Sequence, residues 1–433
     1  MNFDLNPDLA AALDAAPQLA AAPAALQMLN AEAWAILTRG DAALGFCGLW
    51  VAGTRAYTLF EYKSALLFVA TDLVANAYPS LAAGFPLAAW FERLAHDLTG
   101  AVATGATDCR PAIAQGAAGT DAAWPRFLET RCEGGYQIGE GPASGVIAAP
   151  MHQRFSLDGG RILRLEHRLG YAHRGVTGLM GGKSPRVAAR FAARITGDAT
   201  VAHAVAFARA AEAACGLSAP ARAEALRGAM LAIERITGDL ASLAATAGVA
   251  GHARLAAMLG RAREQIATAL GETFGHRLMM DIVVPGGLAL DFRPEGMPAL
   301  RRGLDQARHA VRGIGRERVR HDLGAAVALT LARARAVLAL VAEVPGAIEA
   351  APAGIIAQAL PAVSGMGLGA AVSARGMVHH WLDVEGGQIR DSFAIDPSAR
   401  LLPALEAAAV GLDFHDAAVL AACYGLSVGA IDG

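Results

Sequence analysis

Cysteine is the residue type whose arrangement would decide most here, because thiolates bind soft metals and form disulfides. The 433-residue chain has five, Cys47, Cys109, Cys132, Cys215 and Cys423, and no two form a C-x-x-C pair. The odd count and wide spacing argue against a disulfide framework. A cysteine-ligated zinc or iron–sulfur site would need ligands from a second chain. His379 and His380 are adjacent in a strand-like run, so they point to opposite faces and cannot grip one metal together. Gly181-Gly182-Lys183-Ser184 lacks the spacing of a phosphate-binding loop.

The elements that must position any site come from an apolar chain. It is 54% hydrophobic and 18% charged, with net charge -2, and its mean hydropathy is +0.37. That composition supports a large core and excludes disorder. It offers no field to recruit nucleic acid or acidic lipid. Residues 350–374 are uncharged but contain Pro352 and Pro361, and residues 325–344 contain Arg333, Arg335 and Glu343; both read as core or interface rather than membrane spans. Residues 1–8 lack a basic segment, so no secretory signal is expected. Residues 1–30 read as a loose helical arm. Strand-like runs at 44–51 and 65–70 flank residues 54–62, a helix is expected at 85–98, and 101–135 read as a linker. Residues 155–164 form a hairpin around Asp158-Gly159-Gly160, extended by 165–168. Helical periodicity covers 187–213, 220–246, 254–274, 299–313 and 322–344. Strands return at 377–384 and 388–395 around a turn at 385–387, before a last helix at 401–410. The predicted class is α+β: a small N-terminal α/β domain over 1–135, then a large, mainly α-helical bundle over 136–433 with peripheral β-hairpins.

Local sequences carry a family resemblance. Trp90-Phe91-Glu92-Arg93, His96-Asp97-Leu98, Gly100, Gly105, Asp108 and Arg110-Pro111 resemble the signature of the complex I subunit that docks beside the quinone-site subunit, with Ala106 and Thr107 in place of its His-Pro. The remainder resembles the large subunit of NiFe hydrogenases and its relative, the quinone-site subunit of complex I. The segments, in fixed order, are Tyr171-Ala172-His173-Arg174-Gly175, Arg194-Ile195-Thr196-Gly197-Asp198-Ala199 with His203, Glu234-Arg235-Ile236, Arg277 with Gly286-Gly287, Arg375-Gly376 with His379, Pro397-Ser398-Ala399-Arg400 and Pro403-Ala404-Leu405-Glu406. Together they cover roughly residues 40–433, and a fusion of these two subunit types is the arrangement of energy-converting hydrogenases.

The departures from that family bear on the chemistry. A NiFe centre takes four thiolates from two C-x-x-C pairs. Thr196 and Ala199 stand at the first pair. The second aligns with Cys423 and Leu426, with Gly429 for the following His. Cys423 is then the one retained ligand position, Thr196, Ala199 and Leu426 are vacated, and hydrogen activation is not expected. The complex I quinone loop is Gly141-Pro142-Ala143-Ser144-Gly145, with Ser144 in place of a His; the family's Tyr falls on Gly197 and its Glu after H-R-G on Thr177. The candidate catalytic residues of the remodelled cavity are Arg375, His203 and Ser144. Arg375 would bind an anion or quinone carbonyl, or form an ion pair with Asp383 or Asp396. His203 would carry protons or be a hydrogen-bonded core residue. Asp198 would share a polar pocket with Thr196 and His203, or cap a helix. His173, Arg174 and Arg194 are further cavity or interface candidates, His167 and Arg174 lie at a hairpin end, and Glu92 and Arg93 read as an interface pair.

The resemblance implies a subunit of a membrane-associated redox complex on the cytoplasmic face of the inner membrane, without a NiFe site, coupling electron transfer to a membrane arm. Its alternatives are an active subunit that reduces a quinone or other small acceptor, and a non-catalytic scaffold. The implied partners are an iron–sulfur small subunit, which would hold the cluster, and antiporter-like ion-translocating membrane subunits. This chain is expected to bind no metal or cofactor of its own, quinone being the candidate small molecule.

Overall fold

A computed structural model describes residues 5–113, 127–143, 149–314 and 324–432. Helix α1 (Pro7–Ala15) starts at Asn6, whose side chain accepts from the Asp8 N–H. Strands β1 (Gln18–Leu19), β2 (Ala21–Ala22) and β3 (Leu26–Met28) and helix α2 (Ala31–Leu37) follow. The arm read as loosely helical is helical over α1, and beyond it the chain is extended and edges two sheets: β3 pairs with β1 and runs parallel to β6, whereas β2 lies parallel to β14. Strands β4 (Gly45–Ala52), β5 (Arg55–Tyr62) and β6 (Ala65–Asp72) form an antiparallel meander that completes a five-stranded sheet. Strands β7 (Ala77–Pro79) and β8 (Val102–Thr104) pair on either side of helix α3 (Ala88–Thr99). Of the stretch read as a linker, residues 114–126 lie outside the described residues.

Strands β9 (Tyr136–Glu140), β10 (His152–Asp158) and β11 (Arg161–Arg168) make a three-stranded sheet. Its hairpin turns where expected, at Gly159 and Gly160, both with positive φ. Helices α4 (Pro185–Ala192) and α5 (Thr200–Ala214) replace the single helix predicted over 187–213. The break spans 193–199, where Thr196 and Asp198 spend their side chains on hydrogen bonds to each other and to Arg375, and Gly197 weakens the helix between them. Helices α6 (Ala221–Val249) and α7 (Ala253–Phe274), strands β12 (Val283–Val284) and β13 (Gly287–Leu288), and helices α8 (Met297–Arg312) and α9 (Gly324–Glu349) follow. The apolar faces of α6 to α9 meet in one buried cluster. Strands β14 (Gly365–Ser373), β15 (Gly376–Glu385) and β16 (Gln388–Ile395) form an antiparallel sheet, followed by α10 (Ser398–Ala409), α11 (Phe414–Tyr424) and α12 (Val428–Asp432). Strand β14 and helices α11 and α12 add to the elements expected from the sequence. The molecule has the α+β architecture expected of this kind of chain.

Two packing contacts set the site. Strand β14 lies directly on α5: a Cβ on Gly367 would sit 2.0 Å from the Ala210 carbonyl oxygen, and one on Gly369 2.0 Å from that of Ala206. Alternate glycines on the strand meet alanines one turn apart on the helix, so backbone touches backbone. On the sheet's other face, Trp381 of β15 packs on Trp50 and Tyr57 at centroid distances of 5.5 and 5.0 Å, and Phe393 of β16 stacks on Trp50 at 5.2 Å. One apolar cluster thus unites residues from both sides of position 135.

Candidate functional site

A cavity of about 730 Å³ lies between α6, α11 and the β10–β11 hairpin. On α6 it is lined by Glu234, Gly238, Ala241, Ala245 and Val249, one helical face of mostly small residues. Alanines of α11, together with Met151, Phe155, Leu270 and Phe414, make the other walls apolar. At one end stand Asp198, Arg375, Glu234 and Ser427.

That polar end is a chain of contacts assembled from five places in the fold. Arg375, in the β14–β15 turn, donates through Nη1 and Nη2 to Asp198 and through Nη2 to Asp396 Oδ2 at 3.4 Å. Asp396, at the end of β16, also meets His203 Nε2 of α5 at 3.2 Å and accepts from the Ser398 N–H at 2.7 Å. His203 Nδ1 is 3.0 Å from His380 Nε2 of β15. Burial opposes the Asp396 charge, but Arg375 and His203 outweigh it and hold its pKa well below the carboxylate range. Burial likewise opposes the Arg375 charge, and Asp396 and Asp198 more than restore it. Burial, then the neighbouring His203, depresses the His380 pKa.

Asp198 does not cap α5. Glu234 of α6 does, its two carboxylate oxygens accepting the Val201 and Ala202 N–H groups at 2.6 and 2.8 Å. Desolvation nonetheless pushes Glu234 up to about 8, a carboxyl that titrates near neutrality on the cavity wall. Its motif, Glu234-Arg235-Ile236, marked the position, but nothing in the sequence told which helix end it would meet.

The structure thus brings together Arg375, His203, Asp198 and Thr196, and adds Asp396, Glu234 and His380. Of the two partners weighed for Arg375, Asp396 is the one found; Asp383 pairs with Arg390. His379 faces the opposite side of β15, as the strand period required, where burial and then Arg400 lower its pKa to about 4. Arg194 lies apart, bidentate to Asp281 at 2.7 Å on the surface. Arg174 donates to the Arg194, Ile195 and Gly429 carbonyls and so ties the 193–199 loop to the C-terminal segment. His173 and Arg174 line a cleft of about 400 Å³ that shares Gly197, Ser427 and Gly429 with the cavity. His167 is 3.0 Å from Glu406. Ser144 lies outside the described residues.

Ala199, Leu426 and Cys423, ligand positions by the resemblance, fall in different surroundings. Ala199 is buried at the start of α5, and Leu426 lines the cavity. Cys423, aligned as the retained ligand, faces away: its sulfur is 3.5 Å from Thr246 Oγ1 and 3.6 Å from Thr330 Oγ1 in the core between α6, α9 and α11. The residue that meets Thr196 is Ser427, hydroxyl to hydroxyl at 2.8 Å. None of the five cysteines lines the cavity.

Comparison with known proteins places this geometry. Residues 174–240, which hold Arg174, the 193–199 loop, His203 and Glu234, match the nickel-dependent hydrogenase family. The chain is related to the nickel-dependent hydrogenases and to a subunit of NADH-quinone oxidoreductase. Formate hydrogenlyase subunit 5 of Escherichia coli K12 is 26% identical over 271 residues, 56% of this chain and 47% of that protein. Hydrogenase-4 component G of the same organism is 25% identical over 245 residues, 52% and 44%. The chain spans about half the length of these relatives. An NADH-quinone oxidoreductase subunit of Campylobacter curvus is 31% identical over 140 residues, 32% of this chain and 34% of that one. Among solved structures, a chain of the archaeal membrane-bound sulfane sulfur reductase superposes with a TM-score of 0.61 at 15% identity, covering 69% of this chain and 98% of that chain. The Ni-Fe-Se hydrogenase from D. vulgaris Hildenborough shares the fold with a TM-score of 0.59 at 13% identity. The sulfane sulfur reductase is a respiratory membrane complex, and among the described residues of this chain no helix is long and apolar enough to cross a membrane.

Proposed function

We propose that the chain is a large-subunit-like component of a membrane-associated redox complex, peripheral on the cytoplasmic face of the inner membrane, that has lost the nickel–iron site and couples electron transfer to a membrane arm. The observation that carries this reading is the hydroxyl pair Thr196–Ser427 at the cavity wall, where a nickel–iron centre would need converging thiolates. Hydroxyls and the methyl of Ala199 do not fit that group. The implied partners are an iron–sulfur small subunit, which would hold the cluster, and ion-translocating membrane subunits. Affinity purification from the native host, with metal analysis of the complex, tests both parts. Co-purification of such subunits without nickel bound to this chain is expected; stoichiometric nickel retained by the chain would refute the loss of the site.

A second reading is favoured by the cavity itself: apolar walls leading to Asp198, Arg375 and Glu234 suit a small acceptor such as a quinone, reduced with electrons from a neighbouring cluster. If the chain is only a scaffold, filling the cavity with bulky side chains leaves the turnover of the complex unchanged; if the cavity works, turnover falls.

A further inference from the structure

The chain's charges nearly cancel overall, at -2, but they are not evenly placed. Helices α6 to α9 run alternately up and down, so the end of α6, the start of α7, the end of α8 and the start of α9 gather toward one tip of the bundle. Three contacts fix this. Thr246 of α6 and Thr330 of α9 meet the same Cys423 sulfur at 3.5 and 3.6 Å. A Cβ on Gly313, just past α8, would sit 3.7 Å from Leu255 of α7. At the other end, Arg301 of α8 pairs with Glu349 of α9.

The two ends differ in charge. No Asp or Glu occurs in residues 240–263, 306–314 or 324–342. These stretches place Arg254, Arg261, Arg308, Arg312 and Arg335 on the surface toward the tip. Of these, only Arg308 has a carboxylate partner among the described residues, Asp305 of its own helix. The opposite end is neutralised by the pairs Arg222–Asp291, Arg277–Glu264 and Arg301–Glu349. The start of α11, which shares the cavity wall with Val249, brings Asp413 and Asp416 toward the tip; Arg263 stands half-buried on the same wall, and the excess of cations survives. By sequence, residues 315–323, outside the described residues, hold Arg316, Arg318 and Arg320 against Glu317 and Asp322 and do not cancel it. Helix dipoles do not explain the pattern. Cations suit the ends of α6 and α8, but the first turns of α7 and α9 contain no acidic residue, and α7 carries Arg254 there against its dipole. Mutual repulsion among unpaired arginines is a cost that an anionic partner removes.

The distribution says what shape that partner has. The arginines stand on three helices whose axes lie about 8–10 Å apart, so a peptide strand reaches one row of them and a flat surface reaches all. Val249, 50% exposed, and Leu331, 42% exposed, are interleaved with them, as suits the head-group layer of a bilayer. The three stretches contain no Phe, Tyr or Trp on which a nucleic-acid base would stack. We infer that this tip of the bundle is the surface by which the chain lies on an anionic phospholipid membrane. The inference rests on the proposed membrane association and names the face that makes it.

Co-sedimentation of the purified full chain with extruded vesicles tests this, read as the lipid partition coefficient. Vesicles of phosphatidylcholine and phosphatidylglycerol in equal parts should bind about tenfold or more better than phosphatidylcholine alone, and salt at about 0.5 M should remove the difference. Arg254→Gln/Arg312→Gln should weaken binding to the anionic vesicles by about fivefold for each arginine lost, at an unchanged melting temperature. Arg293→Gln/Arg302→Gln, the same change of charge at the other end of the bundle, should leave it nearly unchanged. Binding that is absent, equal on the two kinds of vesicle, or lost to the same degree in both double variants would overturn the assignment. So would capture of the chain by immobilised poly-glutamate, dependent on Arg254 and Arg312, without affinity for the anionic vesicles; the tip would then be a site for an acidic polypeptide. Each of these failures leaves the proposed redox complex standing, because that reading is tested by the co-purified subunits and the nickel content.

Discussion

At the scale of residues, the hydroxyl at position 196 couples two distant parts of the chain. Thr196 and Ser427 are 231 positions apart and touch through their side-chain oxygens. The double variant Thr196→Cys/Ser427→Cys should close a disulfide under mild oxidation, read by thiol titration and mass spectrometry. A Thr196→Cys/Leu426→Cys pair should stay reduced if this register holds. Glu234 makes a separate prediction. Its folded pKa of about 8 stands above the ordinary carboxyl value of 4.5. Between those values the folded state holds more protons than the unfolded state, so this group makes stability fall as pH rises through that window and then level off. Glu234→Gln cannot titrate, and denaturant midpoints measured across the window should lose that decline. At the acid end the variant should be about 1 kcal/mol less stable, because its amide presents a donor to one of the two N–H groups it must cap. An unchanged pH slope would mean that Glu234 is ionised throughout. The buried His379 acts in the opposite sense. Its pKa of about 4 lies below the ordinary imidazole value of 6.5, so its contribution is present above 6.5 and is lost as pH falls toward 4.

At the scale of elements, the contact between α5 and β14 is the tightest constraint on the site. His203 on α5 reaches His380 on the neighbouring β15 only because Gly365, Gly367 and Gly369 let the helix lie against the sheet. Gly367→Ala would put a methyl 2.0 Å from the Ala210 oxygen, which rigid packing cannot absorb. A loss of about 2 kcal/mol or more is expected in urea unfolding. Gly228, on α6, has nothing within 4 Å of a built Cβ, so alanine there serves as the control and should stabilise by up to about 1 kcal/mol. The break between α4 and α5 is the second elemental device. A continuous helix would project the Thr196 and Asp198 side chains to different faces, whereas the break lets them bond to each other and to Ser427 and Arg375. Periodicity does not reveal it, because Val187 through Ala213 keep an apolar rhythm on both sides of the break.

At the scale of the molecule, the N-terminal sheet and the C-terminal sheet share Trp50, Tyr57, Trp381 and Phe393. β2 adds a backbone link between the two regions by pairing with β14. The two parts should therefore unfold together. Calorimetry should show one transition, and Trp381→Ala should lower it by an amount corresponding to about 3–5 kcal/mol. Two resolved transitions in the wild-type protein would show that the aromatic contact is not a common core. The same junction backs the β14–β16 sheet that carries Arg375, His380 and Asp396, so a loss of docking should disturb the cavity even though, among the described residues, none of the N-terminal part lines it.

Much of this was legible from the chain alone. Apolar periodicity located α6, α7, α8 and α9 to within a few residues, because long helices bury one face and repeat it. The Gly-rich turns placed both C-terminal and central hairpins, since few other residues adopt their backbone angles. Ordered local motifs indicated the kinship, and the absence of paired cysteines is a fact of composition. Tertiary structure alone decided which residues share a wall. It set Ser427 rather than Cys423 against Thr196, gave the α5 cap to Glu234 rather than Asp198, and seated Asp396 between Arg375 and His203. Such neighbours lie from 21 to 231 positions apart. Periodicity and spacing act within a turn or a strand, whereas these contacts depend on how whole helices and sheets stack, which no local pattern encodes.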